Sequence, residues 1–321
     1  MSIAERNFWL RVHRKALSAT PDMQRAYLAG VEALKARLNT RELQELIADG
    51  AVDRFVSMAL SADNLSAAFS RYRAQLQLST RDATAYFGKS IPGVKASGIS
   101  AFFNQLNPRV IDAMRELDTK VMQRLATDTR ETVRAILENA LRDGKGPSQA
   151  SKAIRELIGL GPTQIQEVAN FRAALEAGQV GKALGYAARD RRFDASVKSG
   201  ALDAAKIDKM VEAYTKRRVA INAATTARTA TLEAYKTGQR LSWYDAIDKG
   251  IVEDGSLMKR WSAVAGPGGD GRNREEHLAM HGETVPFDET YSNGDMYAGE
   301  GSPWNCRCLD IVFVASPALT A

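Results

Sequence analysis

The chain is poor in the residues that most often carry chemistry. Its 321 residues include two cysteines, three histidines and four tryptophans. Two thiols cannot build the disulfide framework of a small secreted domain. A bridge across the single residue between Cys306 and Cys308 would close a strained ring, so reduced thiols are expected. No run of ~18 apolar residues occurs, so no membrane span is expected. The opening residues Met1 to Trp9 lack a basic region followed by an apolar core, and no secretory signal is expected. There is no long Lys/Arg block, no internal repeat and no low-complexity tract. No Gly-rich phosphate-cradling loop of the nucleotide-binding kind is present.

What is present is ordinary in bulk. Hydrophobic residues make up 45% and charged residues 26%, which supports a packed core rather than disorder. The length allows two domains, or one domain and an extended helical part. Aromatics are modest at 7% and alanine is plentiful, which favours helix. Net charge is +6 and the pI about 9.3. Such a mild basic excess serves solubility or contact with a polyanion such as DNA.

Apolar spacing of three and four residues predicts helices over most of the chain. Residues 3–38 read as helices separated at Thr20-Pro21-Asp22, a helix-start signal. Further helices are expected over 40–48, 52–60 and 64–77, the last capped by Asp63 or Asn64. Residues 88–100 read as a loop or hinge. Pro108 opens a long helix that stops at Asp143-Gly144, Ser148 caps a shorter one, and Pro162 starts the next. A further helix runs from about Ala204 to Gly238. Val219, Asn222, Thr226, Thr229 and Glu233 lie on neighbouring turns of it, a largely polar stripe that suggests a packed polar contact with the C-terminal part. After Gly238 helical periodicity fades. Strands are expected over 257–264, 285–287 and 308–314, with a short helix from Arg274 to Met280. The fold class is therefore mainly α: elongated helical N-terminal (1–100) and middle (101–245) regions, and a small C-terminal α+β module (246–321).

Two of the three histidines and both cysteines fall between positions 277 and 308. His277 and His281, four apart, project from one face of a helix, which suits two imidazole ligands on one ion. Cys306 and Cys308, two apart, point the same way in extended backbone. Two nitrogen and two sulfur donors suit a tetrahedral zinc ion with no open position, hence a structural site. The plainer alternative is that the histidines hydrogen-bond locally and the cysteines are small buried hydrophobes. A catalytic alternative takes Asp270, His277, His281, Asn293 and Asn305 as a nuclease-like set, or Cys306 and a histidine as nucleophile and base. Arg191 and Arg192, and Lys216, Arg217 and Arg218, are local basic clusters. They read either as solvated helix ends or as phosphate contacts for nucleic acid.

The residues Asp270-Gly-Arg272, His277 through His281-Gly282, and Trp304-Asn305-Cys306-Arg307-Cys308 together resemble the C-terminal signature of tailed-phage head morphogenesis proteins. This is the minor head protein family typified by the F protein of phage Mu. The Gly144–Gly161 region and Ala227-Arg228-Thr229 are similar to its upstream helical part, although Ala230 stands where the family usually has Glu. The resemblance is specific over about 257–314, looser over about 110–245, and absent from the first 100 residues. It implies a minor capsid protein of the virion acting in head morphogenesis, with no enzymatic activity. It further implies association with the portal protein and the capsid interior, with the major capsid or scaffold protein as a partner, and assembly in the host cytoplasm. Contact with packaged double-stranded DNA fits the basic balance. The rival readings are a DNA-binding protein packaged and ejected with the genome, and a nuclease or toxin-like effector.

Overall fold

The computed structural model describes residues 3–37, 40–49, 51–91, 108–142, 144, 146–263, 274–301 and 306–315. The fold is mainly α, 72% helical, with one small antiparallel sheet near the C-terminal end. In chain order the helices are α1 (Ile3–Arg37), α2 (Thr40–Ala48), α3 (Val52–Ala59), α4 (Ala62–Ala68), α5 (Ser70–Gly88), α6 (Pro108–Arg142), α7 (Pro147–Leu157), α8 (Pro162–Glu176), α9 (Val180–Gly185), α10 (Asp194–Ser199) and α11 (Ala204–Asp248). Then come β1 (Leu257–Ser262), α12 (Glu275–Ala279), β2 (Thr284–Pro286) and β3 (Leu309–Val314). The sheet order is β2-β1-β3, with Lys259 opposite Val285 on one side and Arg260 opposite Ile311 on the other.

The chain forms two compact units, each gathered from separated segments. The first comprises Met1–Gln24, Arg73–Thr119 and Thr225–Ala321; the second comprises Arg25–Tyr72 and Lys120–Ala224. In the first, Trp9, Val12 and Ala16 of α1 pack with Ala83 and Phe87 of α5, Leu232 and Tyr235 of α11, and Leu309 of β3. A second cluster joins Trp243 and Ala246 of α11 to Leu257 and Phe287. A third is built around Trp261, which is fully buried. The second unit has its own aromatic groups. Tyr27, Phe69 and Tyr72 meet at 5.7–6.3 Å between ring centroids, and Phe171 stacks on Tyr214 at 4.5 Å.

Several helix ends differ from the sequence expectation. Helix α1 continues through Pro21 although proline cannot donate the bond to the residue four back and costs roughly 3 kcal/mol in a helix interior. Its buried stripe of Trp9, Val12, Ala16, Met23, Tyr27, Val31 and Leu34 runs past the proline, and that apolar burial outweighs the lost bond. The helix expected over 64–77 is divided at Phe69 into α4 and α5. Ser61 caps α4, accepting from Asn64 N at 3.3 Å, so Asp63 and Asn64 lie inside the helix. Gly146 rather than Ser148 precedes α7, because Pro147 already occupies the first helical turn. The polar residues of α11 divide their work. Asn222 donates to Gly159 O at 2.6 Å and accepts from Gln164, while Glu233 turns to the C-terminal module.

The largest difference is at Gly238, which does not end a helix; α11 runs ten residues further, to Asp248. A Cβ on Gly238 would come within 2.6 Å of Ala83 Cβ and 2.8 Å of Thr80 O and Thr84 N on α5. The missing side chain lets two helices touch. Gly238→Ala is expected to destabilise by about 1–3 kcal/mol through overpacking, against the ~1 kcal/mol that helix propensity alone would add. Gly181→Ala in α9, where a Cβ meets nothing within 4 Å, is expected to be neutral or about 0.5–1 kcal/mol stabilising. Denaturant midpoints of the two variants check this, and equal midpoints would remove the close-approach explanation.

Candidate metal centre

Trp261, on the central strand β1, is the floor of the site. The chain leaves β1 and returns as α12, which places His277 with its ring edge-on to Trp261 at 5.6 Å. His277 is buried. Helix α12 then ends at Ala279, and Gly282 turns the chain with φ +92, a conformation that favours glycine. The turn is held in the sheet: Gly282 N donates to Trp261 O and Trp261 N to Glu283 O, both at 2.9 Å. Because the helix stops two residues short of His281, His277 and His281 do not share a face. His281 Nδ1 instead accepts from Ala263 N at 3.2 Å, and burial lowers its pKa.

The two cysteines do converge. Cys306 Sγ lies 3.4 Å and Cys308 Sγ 3.6 Å from His277 Nδ1. These three donors, all buried and all within 4.8 Å of one another, can hold a metal ion. One nitrogen and two sulfurs fit a thiophilic divalent ion. The surroundings fit as well. The buried Trp261 indole N–H has no hydrogen-bond partner of ordinary geometry among the described residues, yet it lies near Cys308 and favours a thiolate there. Gly299, at φ +79, lies against the cluster, and a Cβ there would collide with Cys306 Sγ.

The thiols are unequal. A hydrogen bond from Cys308 lowers the Cys306 pKa, and the backbone N–H of Cys308 and the charge of Lys236 add to this against burial. The Cys308 thiol is correspondingly pushed up, first by its bond to Cys306 and then by burial. Thiolate charge therefore settles first on Cys306, and a bound cation would draw the second proton off.

An outer layer fixes this arrangement. Lys236, 1% exposed, donates to Ala298 O at 2.8 Å and to Glu233 at 3.2 Å and faces the Tyr297 ring. Burial alone would push its pKa down; the nearby negative groups, Glu233 foremost, raise it above the usual lysine value. Tyr297 donates to Glu233 at 3.0 Å. Buried Asp310 accepts from Tyr291 at 2.8 Å and from Ala298 N at 3.0 Å. From the other end of the chain, Trp9 Nε1 and His13 Nε2 both donate to the carbonyl of Arg307, each at 3.0 Å, and their rings stack at 3.7 Å. His13, Gly299 and Lys236 were not singled out from the sequence. The one available signal was that His13 falls on the apolar face of α1.

The remaining candidate residues lie elsewhere or are engaged. Asp270, Arg272 and Asn305 fall outside the described residues. Asn293 Oδ1 accepts from Asp295 N and shapes a turn. In the second unit, Arg192 and Arg217 pair with Asp190 at 2.7 and 3.2 Å, Arg218 with Glu167 at 2.7 Å, and Lys216 with Glu212 at 2.6 Å. Hydrogen bonds from Arg192 hold Asp190 well below the usual carboxylate range. Arg191 is exposed.

Residues 131–311, more than half of the chain, match the family described as Phage Mu protein F like protein. The chain belongs to that family. It is a family of phage minor head proteins, which places the chain in phage head morphogenesis, with the virion as its location and capsid components as its class of partner. Curated proteins and solved structures gave no match. The matched stretch contains His277, His281, Cys306 and Cys308 and ends within β3. No described helix is long and apolar enough to cross a membrane.

The His13 contact gives a pH dependence. Burial lowers its pKa from 6.5 to about 4. Below pH 6.5 the unfolded chain takes up a proton that the folded chain refuses until about pH 4, so stability falls as pH falls through this window. The full loss is roughly 3 kcal/mol. Urea midpoints at pH 7 and pH 5 are expected to differ more in the wild type than in His13→Gln, whose amide can still donate. Equal pH dependence in both would assign the effect elsewhere.

Proposed function

We propose that this chain is a minor head protein of the capsid interior, set beside the portal, that contacts the portal protein and the major capsid or scaffold protein and meets packaged double-stranded DNA. The observation that carries the reading is the family match over 131–311, which takes in both the helical region and the buried His/Cys/Cys group. The mild positive charge supports DNA contact. No enzymatic step belongs to this reading.

Within it, His277, Cys306 and Cys308 hold a structural zinc ion that cross-links α12 to the segment entering β3. What supports zinc is the donor set, its burial and the nearby indole N–H. With His281 engaged elsewhere, three protein donors leave a fourth position to another ligand. What supports a structural rather than catalytic role is that all three donors are buried and packed around Trp261. A zinc clasp suits a small module whose own core is limited.

Two measurements test the reading. Mass spectrometry of purified virions should find the protein in few copies, protected from added protease until the particles are opened. Absence from particles, or digestion in intact ones, overturns the interior placement. Metal analysis of the purified full chain should give about one zinc per chain, lost in Cys306→Ser/Cys308→Ser together with a lower thermal midpoint. A folded, metal-free wild type whose midpoint ignores chelators would end the zinc reading.

A further inference from the structure

The basic clusters visible in the sequence are largely neutralised within the fold, Arg191 apart, and a denser set of cations without a described carboxylate partner lies in α1. In α1, Arg6, Arg11, Arg14 and Lys15 are all exposed. Among the described residues none of them pairs with a carboxylate, in contrast to Arg192, Lys216, Arg217 and Arg218. From Arg6 to Thr20 the sequence contains no Asp or Glu. At about 100° per residue the four cations, with Leu10 and Leu17, spread over about half of the helix circumference, and they span about 13 Å of its length. The opposite half carries Trp9, Val12, His13 and Ala16, all buried in the core of the first unit.

That arrangement fixes the face. The core holds one side of α1, and the bonds from Trp9 and His13 to Arg307 O hold its rotation. The cations cannot turn inward to find partners. A stretch of helix of one sign, without a carboxylate partner among the described residues and held in place, is complementary to a regular array of negative charge. Duplex DNA presents one charge per ~1.7 Å of axis, and long Arg and Lys side chains neutralise it without a base code. Insertion into a lipid surface is less well served: the apolar half of the helix is already buried, which leaves only Leu10 and Leu17, 36% and 44% exposed.

We propose that the solvent face of α1 from Arg6 to Lys15 is a binding site for the phosphate backbone of duplex DNA. The site rests on the reading above that the protein meets packaged DNA, and it moves that contact from the Arg191–Arg218 clusters to the N-terminal helix. Binding is independent of sequence and steeply dependent on salt.

The test is fluorescence anisotropy of the full chain with a random-sequence duplex, titrated with salt. Arg6→Ala/Arg11→Ala/Arg14→Ala/Lys15→Ala should weaken binding at least about tenfold near 100 mM salt and lower the slope of log affinity against log salt by about three to four. A control that removes the same charge from exposed positions of the second unit, Arg41→Ala/Lys152→Ala/Lys198→Ala/Lys209→Ala, should change affinity by less than about threefold, because the duplex does not touch it. Replacing Arg6, Arg11 and Arg14 together by Lys should retain most of the binding, and that variant separates lost charge from lost folding. If the wild type binds and the two quadruple variants weaken alike, or neither weakens, the α1 site is overturned and DNA contact stands. If the wild type fails to bind at low salt, DNA contact itself falls. Binding to vesicles of anionic lipid in preference to the duplex also overturns the site.

Discussion

Lys236 places a positive charge where almost no water reaches, and much of the C-terminal module is arranged to satisfy it. Stripping water from an ammonium costs several kcal/mol unless its protons find acceptors of good geometry. The carbonyl of Ala298 and the carboxylate of Glu233 supply two, and the Tyr297 ring covers the charge. With Ala298 O committed to Lys236, Ala298 N is left to meet Asp310, and Asp310 in turn takes the hydroxyl of Tyr291. The loop from Tyr291 to Gly299 is thus pinned at both ends. Gly299 follows directly, and its lack of a side chain makes the space that Cys306 Sγ occupies. The position of the thiols descends from a lysine on α11 that touches neither of them.

The same lysine favours negative charge at the cysteines, and the indole of Trp261 does so at Cys308. Charge and shape act together here. Buried thiols in apolar surroundings are ordinarily inert and protonated. Here they sit beside a fixed cation and an imidazole, in a group of three donors that can hold a divalent ion.

Much of this was legible in the sequence because its signals are local. Helical stripes declare themselves at a period of 3.6, and the apolar runs around Trp261 and from Leu309 to Val314 marked the strands. Cys306 and Cys308 were legible because rare residue types at short spacing restrict what they can do. His281 was misjudged for a structural reason: spacing of four implies a shared face only while a helix lasts, and α12 ends at Ala279 because Gly282 is drawn back to Trp261. Gly238 was read as a stop because its neighbour, Ala83, is far away in sequence. His13 gave no sign of its role, since it binds a backbone carbonyl 294 residues away, and a carbonyl has no letter in the sequence. The pairing of Arg217 with Asp190 and of Arg218 with Glu167 was equally hidden, so the clusters looked more available than they are.

The bonds from Trp9 and His13 to Arg307 also set a schedule. A ribosome delivers Trp9 and His13 298 and 294 residues before Arg307, so these bonds must wait for the C-terminal module although Ala83 and Phe87 reach the cluster around Trp9 earlier. Contacts of such sequence separation close late and slowly. Chains terminated before residue 307 leave the seat of α1 incomplete and part of its apolar face open to chaperones and proteases. Quality control is thereby built into the topology: α1 completes its seat only on a chain whose synthesis has passed residue 307.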